Sequence, residues 1–246
     1  MMLKGRHILV TGAARGLGAE IARGLAGHGA RLILADIAED TGRSTAEALG
    51  ASFHRVDLGD PASITELGEA VAAETGGALH GLVNNGAIAT GIGGIGFEDI
   101  EIDSWDLVQR VNVRGTWLMT RAAAPMLRVS GSGRVVNVAS DTALWGAPNL
   151  LSYVASKGAA IAMTRSLARE LGPDRVGVTA VAPGILTTES TDYVPEARHR
   201  HYAEGRAVPG PQHPGEITDT IAFLLSEGAL TLTGQVLPVN NGFVFN

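Results

Sequence analysis

The chain contains no cysteine. That excludes disulfides, thiolate metal sites and a cysteine nucleophile together. Aromatic residues are scarce, at 4% of the composition, while glycine is frequent, with 33 among 246 residues. This balance suits helices packed closely on a sheet better than an aromatic-rich β-sandwich. A basic surplus is also lacking: the formal net charge is −6, which argues against a nucleic-acid footprint. No apolar run approaches the ~20 residues needed to span a bilayer, and Met1 to Val10 lacks the long apolar core of a signal peptide. We therefore expect a cytoplasmic protein with no membrane or nucleic-acid partner. The length is enough for one well-buried α/β domain.

What is present is a regular alternation of strand and helix patterns. His7-Ile8-Leu9-Val10 reads as an apolar strand that runs straight into Thr11-Gly12-Ala13-Ala14-Arg15-Gly16-Leu17-Gly18. Ile21, Ala22, Leu25 and Ala26 then follow at helical spacing up to Gly29. Strand, glycine turn and helix are the context a dinucleotide-binding loop requires, because backbone can approach a pyrophosphate at the positive end of a helix. Arg31 to Ala35 is the next strand, ending at Asp36, 18 residues past Gly18. That is close to the spacing of an acid that holds an adenosine ribose. A carboxylate there accepts from both ribose hydroxyls and repels a 2′-phosphate; Arg15 pulls the other way.

Further strands are expected at Ser52 to Val56, Leu79 to Val83, Val135 to Val138, Val176 to Ala182 and Gln235 to Val239. Helices are expected at Thr41 to Leu49, Ile64 to Glu74 (opened by Asp60-Pro61), from Ser104 through Leu118 with Asn112 inside, and Ile217 to Leu225. The alternation implies a parallel, doubly wound sheet with helices on both faces. No linker or repeat divides it.

Chemistry concentrates between Arg134 and Lys157. The strand there closes at Ser140; Tyr153 comes 13 positions later and Lys157 four after that, in a helical run. On a helix, residues i and i+4 share a face, so phenol and ammonium are neighbours. A lysine charge ~4–5 Å away favours phenolate by roughly 3–4 kcal/mol at an effective dielectric of ~20. That draws the phenol towards the operating pH of a general acid–base catalyst, before any opposing desolvation. A serine at a strand end can hold a substrate oxygen in the same space.

With these pieces placed, the sequence resembles the short-chain dehydrogenase/reductase family over essentially its whole length. The marks are Thr11 through Gly18, Asp36, Asp57, Asn84-Asn85, Asn112, Ser140, Tyr153, Lys157, Pro183-Gly184 and Thr188, in the family's order and spacing. The resemblance implies a single Rossmann-type domain with about seven parallel strands, and a catalytic set of Asn112, Ser140, Tyr153 and Lys157. Gly12, Gly16 and Gly18, with Arg15 and Leu17, would shape the pyrophosphate loop. Asp36 and Ile37 would meet the adenosine ribose and Asp57 and Leu58 the adenine; Asn85 would sit under the adenosine side of the cofactor, with Gly86 also binding it. Lys157 would bind the nicotinamide ribose beside Tyr153. Ile185 and Thr188 would position the carboxamide end, Pro183 and Gly184 would also bind the cofactor, and Asn112 would hold a water in a proton relay leading to Lys157. The implied cofactor is NAD rather than NADP, with no metal, and the implied assembly is a homotetramer, to which Phe243 and Phe245 look like apolar contributors. Two departures stand out: Asn84-Asn85-Gly86-Ala87 where the family has Asn-Asn-Ala-Gly, and Asn240-Asn241-Gly242 where it has Asp-Gly-Gly.

The implied reaction interconverts a secondary alcohol and a ketone. Alternatives are an NADPH-dependent 3-oxoacyl-type reductase and a non-catalytic dinucleotide sensor or scaffold, although the latter has no need of intact Ser140, Tyr153 and Lys157. Leu144, Trp145 and Leu150 flank the site and point to an apolar, cyclic or aromatic substrate contacting Ser140, Trp145 and Tyr153; Trp145 can equally pack in a subunit interface. The long polar stretch from about 188 to 214 is expected to be a mobile lid. Its basic cluster, Glu196 to His201, either steers an anionic substrate or is a solvated face.

Overall fold

Short β-branched and aliphatic runs build the centre of the molecule. They form strands β1 (His7–Thr11), β2 (Arg31–Asp36), β3 (Ser52–Arg55), β4 (Gly81–Asn84), β5 (Arg134–Val138), β6 (Gly177–Pro183) and β7 (Val236–Val239). All pairings are parallel, and the strand order is β3-β2-β1-β4-β5-β6-β7. The structure, a computed structural model, describes residues 1–245, apart from the side chain of Ser190.

Successive strand residues face opposite sides, so each strand feeds two cores. Ile8, Val10, Leu32, Leu34 and Val136 pack on one face with α1 (Gly16–Gly27) and α9 (Thr218–Leu224). Leu9, Ile33, Leu82 and Val135 pack on the other with α3 (Pro61–Thr75), α5 (Thr116–Val129) and α7 (Leu151–Leu171). Asp60 caps α3 by accepting the Ala62 N–H at 2.9 Å, with Pro61 at the first helical position. Helix α2 (Glu39–Leu49) completes the layer beside β3, α4 (Ile102–Gln109) leads towards the site, and the one-turn α6 (Thr142–Trp145) follows β5. The chain reverses its order between β1 and β4. That opens a crevice above their carboxyl ends, where open α/β sheets take their ligands.

One expectation changes. The long helix read from Ser104 is interrupted: a π-helical turn, Arg110–Gly115, separates α4 from α5 and carries Asn112. The Asn112 carbonyl accepts the Thr116 hydroxyl at 2.7 Å, and its amide is committed elsewhere, which accommodates the widened turn. The stretch expected to be a mobile lid is built of a 3₁₀ turn, Glu189–Thr191, and an α-helix, α8 (Glu196–Gly205). Helix α8 left no apolar period in the sequence because only Tyr202 is buried on it. Among the described residues, no helix is long and apolar enough to cross a membrane.

Candidate active site

A cavity of about 700 Å³ opens over the crevice, lined from the β1 turn, the ends of β2, β4, β5 and β6, and the segment leading into α8. Its floor is made by close contact between glycine backbones. A Cβ on Gly18 would stand 1.9 Å from the Gly12 carbonyl oxygen, and one on Gly12 would stand 2.5 Å from the Gly86 Cα. Gly12 and Gly16 also have positive φ, 64° and 55°, which side chains resist. Asn85 fastens the loop from below, donating to the carbonyls of Thr11 and Gly12 at 3.0 Å each. The first turn of α1 leaves its amides without helical partners, facing this floor.

Asp36 stands at the cavity wall after β2. Its Oδ2 accepts the Ala14 N–H and its Oδ1 the Ala38 N–H, both at 2.9 Å. Each oxygen has capacity for a further donor, and the pair of amides fixes the carboxylate in place. Arg15, exposed, and Ile37 line the same end; Asp57 and Leu58 close it, with Asp57 Oδ1 accepting the Gly59 N–H at 2.7 Å. A glycine floor, a fixed carboxylate and free helix-start amides fit an adenine dinucleotide. The Gly86 departure has a local reason. A Cβ there would meet Leu58 Cδ1 at 2.7 Å and the Gly12 nitrogen at 3.1 Å, so Leu58 fills the space that a methyl at position 86 would take.

The central end of the cavity is lined by Ser140, Tyr153 and Lys157, and by Pro183, Gly184, Ile185 and Thr188 from the end of β6 onward. Helix α7 delivers the phenol and ammonium, and the ammonium lies 5.5 Å from the phenol ring centre. Lys157 is buried, and its Nζ donates to the Val138 carbonyl at 2.6 Å. Ser140 Oγ accepts the Thr142 hydroxyl at 2.9 Å. Asn112 is not on the cavity wall. Its side chain grips the Ile88 backbone (2.8 and 3.0 Å) and donates to Ser156 Oγ at 3.1 Å, bracing α7 against the loop after β4.

The expected lowering of the phenol does not occur in the free protein. Burial pushes Tyr153 up to about 12, opposed by a hydrogen bond with Ser140. Burial also pushes Lys157 down to about 8. The reason is desolvation of both groups: the ammonium is turned onto the Val138 carbonyl, and a phenolate in this buried position loses its hydration.

Trp145, expected to touch substrate, is not on the cavity wall either. Its indole N–H donates to the Tyr202 hydroxyl at 3.1 Å, and its ring meets Tyr202, His201 and Phe243 edge-on. Leu144 packs with Ile161 and Ala180 in the core, whereas Leu150 does line the cavity. Phe243 stacks on Tyr202 at 4.1 Å within the same chain, so only Phe245 of the expected pair stays exposed, at 78%.

Sequence reasoning missed the centre of this cluster. Asp141 is fully buried directly after Ser140. Its Oδ1 accepts the Tyr202 hydroxyl at 2.8 Å and its Oδ2 the Asn240 amide at 3.2 Å. Burial raises its carboxyl to about 6 despite those bonds. The Asn240 departure thus has a partner: an aspartate there would oppose Asp141. Tyr193 was also missed; it lines the cavity and donates to the Ala89 carbonyl at 2.6 Å, joining the segment after β6 to the loop after β4. The only signals were an acid beside the serine and isolated tyrosines in a polar stretch.

Comparison with known proteins supports one assignment. A family model described as enoyl-(acyl carrier protein) reductase matches residues 12–244. The chain is 34% identical over 244 residues to a 3-alpha-(or 20-beta)-hydroxysteroid dehydrogenase of Mycobacterium tuberculosis, covering 98% of this chain and 90% of the relative. It is 34% identical over 249 residues to trans-4-hydroxycyclohexanecarboxylate dehydrogenase of Sinomonas cyclohexanicum (95% and 91% covered). It is 32% identical over 250 residues to a 3-oxoacyl-(acyl-carrier-protein) reductase of Thermotoga maritima (99% and 100% covered). A crystal structure described as ribose-5-phosphate isomerase from Brucella melitensis 16M superposes with a TM-score of 0.91 at 30% identity, covering 98% of this chain and 93% of that one. The chain belongs to the short-chain dehydrogenase/reductase family.

Proposed function

We propose that this protein is an NAD-preferring dehydrogenase that interconverts a secondary alcohol and its ketone, with an apolar, cyclic or aromatic substrate. The observation that carries the reading is that Ser140, Tyr153 and Lys157 line one cavity with the Asp36 carboxylate. The hydroxysteroid and hydroxycyclohexanecarboxylate dehydrogenases among its relatives support the substrate class. So do the apolar lining residues Leu150 and Val194.

A bound nicotinamide dinucleotide would supply the hydride acceptor. Ser140, backed by the Thr142 hydroxyl, holds the substrate oxygen. Tyr153 transfers the proton at that oxygen. Its raised phenol is held protonated in the free protein, the state that donates to a carbonyl in reduction; in oxidation the phenol first gives up its proton to solvent, and the resulting phenolate, next to the neighbouring ammonium, receives the alcohol proton. Lys157 also meets the nicotinamide ribose. Asn112 positions α7 and the loop carrying Ile88 through its three side-chain bonds. Gly12 through Gly18 cradle the pyrophosphate, and Asp36 takes the ribose hydroxyls and repels a 2′-phosphate.

An NADPH-dependent 3-oxoacyl reductase is the second reading, favoured by Arg15 at the cavity rim and by the Thermotoga relative. A panel of secondary alcohols oxidised with NAD and NADP in parallel separates the two. Turnover with NAD and a cyclic alcohol supports the first; turnover confined to NADPH and 3-oxoacyl thioesters overturns it.

We place the protein in the cytoplasm as a homotetramer. Ile102 (76%), Trp117 (46%) and Leu151 (45%) on the helices, and Phe245, are among the exposed apolar residues available for assembly. A monomer mass by light scattering at micromolar concentration would refute this.

A further inference from the structure

The basic run on α8 separates into engaged and available groups. Arg200 pairs with Glu196 at 2.7 Å, one turn back on the exposed face. His199 Nε2 lies 3.1 Å from the Thr191 carbonyl. The His201 ring packs edge-on against Trp145 and Phe243. Of these four side chains, Arg198 alone lines the cavity. It has no ion pair among the described residues; its guanidinium lies 5.5 Å from the Trp145 ring centre and reaches the Pro148 carbonyl only at 3.4 Å.

The helix that carries it is held firmly. Tyr202, four residues on and therefore on the same face, is 1% exposed and bonded to buried Asp141. The lining shared with Ser140 and Tyr153 includes apolar Leu150, Leu186 and Val194 beside the neutral hydroxyls of Thr142, Thr191 and Tyr193. Glu189, the acid among the lining residues nearest in sequence, is exposed and adjoins Thr188 on the cofactor side. A half-buried guanidinium on the wall of a chamber with no facing carboxylate but Glu189 presents a planar fork of donors suited to an oxyanion. Trp145 thereby acquires a role: its face seats the cation, although it does not itself line the chamber.

We propose that Arg198, seated on Trp145, binds a carboxylate carried by the substrate. On the secondary-alcohol reading, which this inference deepens, the natural substrate is then a compact hydroxy acid or oxo acid rather than a neutral alcohol.

The test uses binding as well as turnover, so that its failure is separable from failure of the reaction assignment. Cyclohexanecarboxylate and cyclohexanecarboxamide, which have no hydroxyl to oxidise, are titrated calorimetrically into the protein with NADH present. The wild type is expected to favour the carboxylate by at least about tenfold. Arg198→Met should weaken carboxylate binding roughly 10- to 100-fold, the range for a hydrogen-bonded charge, and amide binding by less than about threefold. Arg200→Ala, its neighbour on the exposed face, should retain the preference. In turnover, the KM ratio between 4-hydroxycyclohexanecarboxylate and its methyl ester should shift by the same factor in Arg198→Met. No preference in wild type, a preference that survives Arg198→Met, equal losses for both ligands, or competition by inorganic phosphate as strong as that of the carboxylate would each overturn the proposal.

Discussion

Replacing Asn240 by aspartate restores the residue the family usually carries there, yet in this chain it should destabilise the fold. Asn240 is 2% exposed, and its amide nitrogen lies 3.2 Å from Asp141 Oδ2, in a site where Asp141 itself is 0% exposed. An aspartate would turn a donor–acceptor pair into two facing carboxylates. At ~4 Å and an effective dielectric of ~20 their repulsion is about 4 kcal/mol, part of which protonation relieves. We expect a loss of about 3 kcal/mol at pH 8, a fall of about 6–12 °C in Tm for a chain of this size. The sign with pH follows from the raised carboxyl. Asp141 already sits at about 6 in the folded protein, above the ~3.9 of an unfolded chain. A group raised in this way contributes stability below the unfolded value and loses it as pH rises through the folded one. The deficit of Asn240→Asp should therefore shrink at pH 5 and be full at pH 8. The double variant Asp141→Asn with Asn240→Asp exchanges amide and carboxylate across the same contact and should recover most of the loss. Thermal midpoints at both pH values decide it. A single variant within about 2 °C of wild type at pH 8, or a double variant no better than the single, would refute the pairing.

Other substitutions probe the two ends of the cavity. Asp36→Ala removes the charge that faces a 2′-phosphate and should raise the NADP-to-NAD ratio of kcat/KM at least about tenfold, or ~1.4 kcal/mol; an unchanged ratio contradicts the role given to Asp36. Gly18→Ala sets a methyl 1.9 Å from the Gly12 carbonyl, backbone that can yield only by deforming the floor, so the NADH Kd should rise at least about tenfold. Tyr202→Phe deletes a donor to Asp141 at 2.8 Å and an acceptor for Trp145 at 3.1 Å, and should cost about 1–3 kcal/mol together with a higher substrate KM; a silent variant would mean that Tyr202 does not hold α8.

The parts legible in the sequence are those with a local rule. Strands β1 and β5 announce themselves as β-branched runs, and the Gly12–Gly18 turn and the four-residue step from Tyr153 to Lys157 have fixed spacings. Every residue the resemblance gave to the cofactor, from Gly12 to Thr188, lines the one cavity. What was hidden depends on contacts far apart in the chain. Asp141 looks like an ordinary polar residue until Tyr202, 61 positions away, and Asn240, 99 away, close over it. Trp145 reads as a substrate wall because it adjoins Ser140, but its ring is consumed by Tyr202 and Phe243. The π-turn around Asn112 leaves no mark in the hydrophobic pattern. The phenol of Tyr153 shows the limit most clearly: spacing supplies the lysine, whereas desolvation, which depends on the finished cavity, sets the direction of the shift.

The central claim is that Tyr153 moves the proton between substrate oxygen and protein. Tyr153→Phe keeps the ring and removes only the hydroxyl. Measured with NAD and the best alcohol from the panel, alongside the NADH Kd, the account predicts at least a ~100-fold loss of kcat with cofactor binding and Tm close to wild type; turnover within about threefold of wild type would contradict it.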